Sequence, residues 1–533
     1  LNLKKINNIV LLLAFIIPAF AGIKCGVIDF WERKIVSYQE RPDMEFYWDT
    51  ENFRLWYDTH GTDSIDLTDI DPADGVPDWV QIAGSYLEKA RACLVDTLNF
   101  VAPIPDSTID LSRSDVGGDD RTDVYFVDMP YYGMTYLDTM LFDGSGPAFL
   151  TLENDYDEEN FSSYIGREDE ALAVTCSHEF FHVIHYSYGS GVNWVWWMEA
   201  TAVWSEERNF PEINDYINYL PLFQDYPNAP LHKNTVDGRS GRIYGTCLLP
   251  IYLSEMYGDS TIRIIWEGIP SHGVYGSILR WADSAGVNLD DVYGDFAKWN
   301  LFVGDNYRGF GYPDADLMPE PQHIQPANCP DTITGGGAAI YIEMPVYQTG
   351  GIWARVNPID DISAVMHGVS IRGSDSDDTS STILGTDGII PGTWRFDKIS
   401  AVIAHLSYDS NLESSFETII YGPDPMAVVV SPQNDLERPP YPNPFIYHSS
   451  EMIYFPYSVE ENTPIAFSVW TSAGELVYSH ETTTNRGFHL EKEGAFGWEP
   501  ENNEGKKLSS GIYIYKLAIE GKSHIGKFSI ING

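Results

Sequence analysis

The stretch TCSHEFFHVIHYSYG, residues 175–189, sets three imidazoles and one carboxylate in an otherwise apolar run: His178, Glu179, His182 and His185. On a helix, residues four apart share a face one turn apart, so His178 and His182 can aim two ring nitrogens at one cation. Glu179 then projects beside that cation, where a carboxylate can take a proton from water. His185 lies on the same face, but seven residues of helix rise about 10.5 Å, and zinc–nitrogen bonds are about 2 Å. One continuous helix cannot bring His178 and His185 to the same tetrahedral ion, so His185 is assigned to packing or to hydrogen-bonding a ligand. The competing reading of the whole stretch is a buried helix whose histidines are satisfied within the core.

A zinc that does chemistry takes three protein ligands and keeps a fourth position open. The next polar-in-apolar surprise is NWVWWMEATAVWSEERNF, where Glu199 is surrounded by Trp196, Trp197, Met198, Ala200 and Ala202. An acid in such company is costly unless it is paired or bound to a cation. Glu199 is therefore the expected third ligand, with a different role for it, or a different acid as ligand, left open. Glu206 and Glu207 sit near the helix end beside Arg208 and read as ordinary surface charge.

The elements that must position these groups follow from periodicity. Helical spacing predicts helices over 168–187 and 195–208 joined by the turn YGSGVNW, with further helices at about 242–257, 259–267, 274–284 and 291–302. Val80, Ala83, Leu87, Ala90, Leu94 and Leu98 predict an earlier helix, and alternation predicts strands near 51–59, in TDVYFVDM and in PAFLTLEND. Around residue 320 the Pro/Gly-rich MPEPQHIQPANCPDTITGGG ends this mixed region, and short alternating runs follow. A second linker, 427–443, precedes a last set of alternating runs such as IAFSVWTSAGELVYSH. The expected division is thus a mixed domain over 22–320, a β-sandwich over 331–426, and a small β-sandwich over 444–533.

With 533 residues the chain is too long for one core. Its net charge of −46, from 78 acidic against 32 basic residues, argues against nucleic-acid or anionic-membrane partners. Residues 1–21 read as a signal peptide: Lys4 and Lys5, the apolar VLLLAFIIPAF, then the small-x-small Ala19-Phe20-Ala21. Export to the cell exterior or cell surface is therefore expected, with no transmembrane anchor after signal removal. The five cysteines show no CxxC spacing, which sets cysteine ligation of zinc aside; Cys176 and Cys247 read as small core residues.

HEFFH followed, after sixteen intervening residues, by the Glu of WWMEATAVW resembles the gluzincin zinc peptidases, HExxH enzymes with a downstream glutamate. The resemblance implies an α+β zincin-like catalytic domain followed here by two β-sandwich modules. It also implies zinc held by His178, His182 and Glu199, Glu179 as general base, and a protein or peptide substrate. A later Tyr or His stabilises the oxyanion in such enzymes, which points to Tyr244 in RIYGTC; a tyrosine simply packed beside Gly245 is the other reading. Arg242 is a weaker candidate for that donor. Two departures matter. Val203 replaces the usual acid four residues after the glutamate ligand, leaving the partner of the ligand histidines unassigned. The Gly and third His of the metzincin pattern are replaced by His185 and Tyr188. Residues 46–318 as a whole are similar to secreted bacterial metallopeptidases.

Residues 431–533, with YPNPF, TSAGELVY and SGIYIYKLAIEGK, resemble the Ig-like C-terminal domains of the flagellar-hook-cap type and the type IX sorting domains of Bacteroidetes-like bacteria. That resemblance implies a Gram-negative type of cell, outer-membrane secretion machinery as a partner, and no catalytic role for the module. A separate loop, DIDPADGVPDWV, gathers Asp69, Asp71, Asp74 and Asp78 around Gly75; it suits Ca²⁺, and equally turn formation and helix capping. The expected function is a secreted zinc endopeptidase. Its rivals are a surface adhesion or binding protein with a structural or inactive zinc site, and a zinc hydrolase acting on non-peptide substrates.

Overall fold

The computed structural model describes Lys24 and Cys25, residues 41–108, 117–157 and 159–346, and then the segments 352–356, 362–369, 379–384, 388–390, 396–407, 412–416, 419–423, 440, 443–447, 452–456, 464–483, 495–519 and 522–531. The signal peptide expected at 1–21, and nearly all of the linker expected at 427–443, lie outside these residues. The chain is a multidomain mixed α/β protein with several β-sheets. It divides into two compact units, Leu1–Ala92 with Ala102–Ser187, and Cys93–Val101 with Tyr188–Gly533.

The first unit is built on strands β1 (Phe46–Asp49), β2 (Phe53–Tyr57), β3 (Thr122–Val127), β4 (Gly133–Leu137) and β5 (Ala148–Glu153), ordered β1-β2-β3-β5-β4. The inner strands β2, β3 and β5 are parallel, while β1 and β4 pair antiparallel at the two edges. Every residue of β5 is buried, as expected of a strand covered on both faces. Helix α1 (Asp78–Arg91) buries Val80, Ala83, Leu87 and Ala90, then continues as a π-helical turn, Ala92–Thr97, where the spacing predicts plain α-helix to Leu98. Helix α2 (Glu168–Tyr188) starts with Glu168, Asp169 and Glu170, acids that favour a helix N-terminus. It is buried almost all round, with Phe180 edge-on to Phe53 of β2 at 5.1 Å and the Cys176 Sγ 3.8 Å from the Ala83 carbonyl of α1. The histidine stretch therefore runs through an interior helix, and its polar groups are forced to find partners inside the protein.

The second unit opens with helix α3 (Val195–Asn209), followed by α4 (Leu220–Asp225), α5 (Arg242–Gly245), α6 (Leu248–Tyr257), α7 (Ser260–Ala285) and α8 (Leu289–Leu301). The single helix predicted over 242–257 is broken after Gly245, where the Thr246 and Cys247 amides bond three residues back to Ile243 and Tyr244. The two helices predicted at 259–267 and 274–284 are both present within α7, separated at Gly273, whose φ of 67° and ψ of 175° are not helical.

Beyond α8 the same unit becomes all-β. Strands β6 (His323–Ile324), β8 (Ala339–Met344), β10 (Ile362–Val369), β11 (Thr379–Ile383) and β13 (Lys398–His405) form one sheet, ordered β11-β10-β13-β8-β6. Alternate residues such as Ile340, Ile342, Ala364, Met366, Ile399 and Ala401 point into a core shared with Ile352 and Ala354 of β9 (Ile352–Arg355), the centre of a second, three-stranded sheet. The opposite residues, among them Tyr341 and Val402, pack on Ala297 and Leu301 of α8, and the Tyr341 hydroxyl donates to the Ala297 carbonyl at 2.9 Å. Both faces of that sheet are thus covered. The last module pairs β18 (Pro464–Thr471), β19 (Leu476–Thr483), β21 (Gly511–Ile519) and β22 (Lys522–Ile531) in one sheet, around an aromatic core of Phe455, Phe467, Trp498, Tyr515 and Phe528. Among the described residues no helix is long and apolar enough to cross a membrane.

Candidate metal centre

Four residues apart on α2, His178 and His182 bring their Nε2 atoms to 3.1 Å from one another. Two nitrogens bound to one tetrahedral zinc at 2.0–2.1 Å stand about 3.3 Å apart, so the two rings are already held at chelating distance. They are 1% and 0% exposed. The residues therefore fit a zinc ion: two imidazole donors converge in a dry interior, where an uncompensated polar cluster would be costly.

His185 occupies the supporting place left open by the sequence. Its Nδ1 lies 3.2 Å from the Nδ1 of His182, on the side of that ring facing away from His178. With the His182 Nε2 lone pair turned to a cation, His182 Nδ1 carries the proton and donates it to His185. Burial, then the neighbouring His182 and His178, hold the His185 imidazole well below its usual pKa, so it is neutral and able to accept at Nδ1.

Glu179 is fixed by β4. The Thr135 hydroxyl lies 2.7 Å from Glu179 Oε2 and 2.9 Å from the Glu179 carbonyl oxygen, tying side chain and helix backbone to one edge-strand residue. Gly133, at the start of β4, crosses the helix so closely that a Cβ there would lie 2.6 Å from Glu179 Cγ and 2.8 Å from Thr175 Cγ2. Neither Thr135 nor Gly133 stands out in the sequence, because each acts through a packing distance across 40 or more residues.

Cysteine ligation, set aside above for want of CxxC spacing, returns with Cys25. Cys25, His178 and His182 each offer a ligand atom, and these atoms lie within 4.8 Å of one another. Cys25 is fully buried, is in no disulfide, and forms a parallel β-bridge with Gly133. No spacing rule finds it, because its partners are more than 150 positions away.

The other anticipated residues belong to the second unit or to the surface. Glu199 is wholly buried on α3, as is Tyr244 on α5, whose ring packs on Tyr219 at 5.3 Å. Arg242 is a fastener. Its guanidinium donates to the carbonyls of Tyr226, Ala229, Pro230 and Lys233 and lies over Phe223, and burial brings its pKa down to about 9. In the aspartate loop, Asp78 accepts from the amides of Ile70 and Asp71, Asp69 from those of Asp74 and Gly75, and Asp74 from Val76 and the Gln81 side chain. Those three carboxylates close turns, and the loop is exposed.

A second buried polar cluster was not anticipated. Arg41 forms ion pairs with Asp106, Asp123 and Asp138, the Asp106 contact being 3.0 Å, and Asp123 also accepts from the Trp56 indole at 2.7 Å.

No protein-family model matches the chain, and no curated protein matches it. Two solved structures of Porphyromonas gingivalis proteins are similar over part of it. PorZ, an essential bacterial surface component of the type-IX secretion system, is 14% identical over 28% of this chain and 15% of its own, with a TM-score of 0.15. Dimeric latent PorU is 13% identical over 40% of this chain and 19% of its own, again with a TM-score of 0.15. The chain thus spans less than a fifth of either protein.

Proposed function

We propose that the chain is a secreted zinc-dependent endopeptidase of the gluzincin type, with a zincin-like catalytic region over residues 22–320. The observation that carries the reading is the pair of Nε2 atoms 3.1 Å apart, one turn of helix from each other, beside a carboxylate clamped by Thr135. His178 and His182 would hold the zinc, and the sequence pattern assigns Glu199 as the third ligand. When bound, zinc supplies the Lewis acidity that makes water a nucleophile at neutral pH and polarises a scissile carbonyl. Glu179 takes the proton of the attacking water and returns it to the leaving amine. The Thr135 hydroxyl keeps that carboxylate from swinging away between the two transfers. Tyr244 is the proposed hydrogen-bond donor to the oxyanion.

The remaining assignments belong to the same proposal. A signal peptide exports the chain, and the 444–533 module serves sorting or surface attachment through outer-membrane secretion machinery. A calcium ion in the Asp69–Asp78 loop is tested separately, by whether Ca²⁺ raises the melting temperature and Asp74→Asn removes the rise.

One observation favours the rival reading of a binding protein with a structural zinc: a thiol beside the two histidines could close the ion to water. Purified Glu179→Gln protein separates the two. An endopeptidase keeps its zinc and loses casein hydrolysis in that variant, and loses both in His182→Ala. Casein cleavage undiminished in Glu179→Gln would remove the peptidase mechanism.

A further inference from the structure

We propose that Cys25 is itself a ligand of this metal, its thiolate standing in the position that water needs, so that the chain as described is a latent form. The proposal rests on the zinc reading above. Its first support is chemical: a thiol and two imidazoles, mutually within 4.8 Å and fully buried, are a donor set suited to zinc, with a zinc–sulfur bond of about 2.3 Å. On binding, the Cys25 thiol gives up its proton to solvent, and on release it takes one back as water enters.

The second support is the path of the backbone. β4 is an edge of its sheet, with hydrogen-bonding groups available to an added strand. Cys25 bridges Gly133 in parallel there, and the Tyr132 amide donates to the Lys24 carbonyl at 3.1 Å. An extended peptide adding to that edge would use the same stretch, directly over Glu179, which Gly133 nearly touches. Lys24 and Cys25 therefore stand where such an added peptide would pair. His178, Glu179 and His182 are buried, and in this proposal a polypeptide gains access to them when Lys24 and Cys25 leave the edge.

The third support is the anchor downstream. Arg41, buried against Asp106, Asp123 and Asp138, fixes the chain to the same unit beyond Cys25. Cys25 and Arg41 thus meet this unit at two buried points, one of them at the proposed metal site.

The test uses the full chain loaded with Co²⁺ in place of zinc. The wild type is expected to bind cobalt and show thiolate-to-cobalt charge-transfer absorption in the near ultraviolet. Cys25→Ser is expected to keep the cobalt, lose that band, and hydrolyse casein at least about tenfold faster once zinc-loaded, since the competent state is then no longer a minor one. A band that survives in Cys25→Ser, or cobalt bound by the wild type without one, overturns the ligand assignment. A Cys25→Ser protein that loses the metal altogether overturns latency and makes Cys25 a permanent structural ligand. A wild type that binds no cobalt overturns the zinc reading itself, a distinct result. Should Cys25→Ser fail to fold, alkylation of the wild type decides: chelation is expected to speed iodoacetamide labelling of Cys25, read by mass spectrometry, by about tenfold relative to Cys247, and an unchanged ratio overturns the proposal.

Discussion

Arg41 and its three aspartates bring opposite charges to one another, whereas the histidine row brings two imidazoles and a thiol whose ligand atoms lie within 4.8 Å of one another, a set that suits a cation. Both clusters are buried in the first unit, and both hold polar groups away from water at a cost that must be offset. The first supplies its own counter-ion from the chain. The second gathers groups that can each donate an electron pair, at a spacing that suits an ion of tetrahedral habit. Burial of polar residues is therefore common to structure and to function; the balance of donors and acceptors within the cluster tells them apart.

That comparison can be broken most forcefully at Glu179. Glu179→Gln should lower the turnover number by roughly 10²–10⁴, with zinc content unchanged by metal analysis and the melting temperature little moved. Arg41→Ala should do the reverse, lowering the unfolding free energy in urea by about 3–5 kcal/mol because three carboxylates lose their partner. If it instead strips zinc at constant stability, the two clusters are not separate in kind. His185→Phe removes the acceptor behind His182 and should weaken zinc affinity about 10–100-fold in a competition titration, leaving the pattern of unfolding intact.

The smallest effect is a pH dependence. Burial lifts the Asp106 carboxyl from 3.8 to about 7, against the pull of Arg41 and with Asp123 adding to the rise. The folded chain thus keeps a proton that the unfolded chain has lost between those values. This contribution to stability is complete below pH 3.8 and disappears as pH rises through about 7. Asp106→Asn cannot lose a proton, so its melting temperature should gain on the wild type between pH 5 and pH 8. Parallel melting curves across that range would show that Asp106 is ionised throughout.

The parts of this molecule legible in the sequence are those written in local spacing. The i, i+4 pair of His178 and His182 and the exclusion of His185 as a co-ligand of His178 follow from helix rise alone, and the helices predicted over 168–187 and 195–208 from their apolar runs are found at Glu168–Tyr188 and Val195–Asn209. What local spacing cannot carry is an approach made across the fold. Thr135 is an ordinary threonine in a short strand until its hydroxyl meets Glu179, and Cys25 is a single thiol until β4 draws it to the histidines. The break after Gly245 is illegible for a related reason: the apolar run continues through it, and only the bonds of the Thr246 and Cys247 amides three residues back mark it. Arg41 lay outside any motif, and only the convergence of three separate segments reveals why a lone guanidinium is tolerated inside.

The row His178, His182, His185 also makes the far ring a remote witness. Without a cation, one of the two Nε2 atoms 3.1 Å apart must carry a hydrogen and donate it to the other; with a cation, both turn lone pairs inward. Where that hydrogen sits on His182 Nε2, His182 accepts at Nδ1 and His185 carries its proton on its own Nδ1; a cation then makes His182 the donor there and moves the His185 proton to Nε2. Nitrogen chemical shifts of His185 should thus register occupancy from the back of the helix, without any label placed at the chemistry.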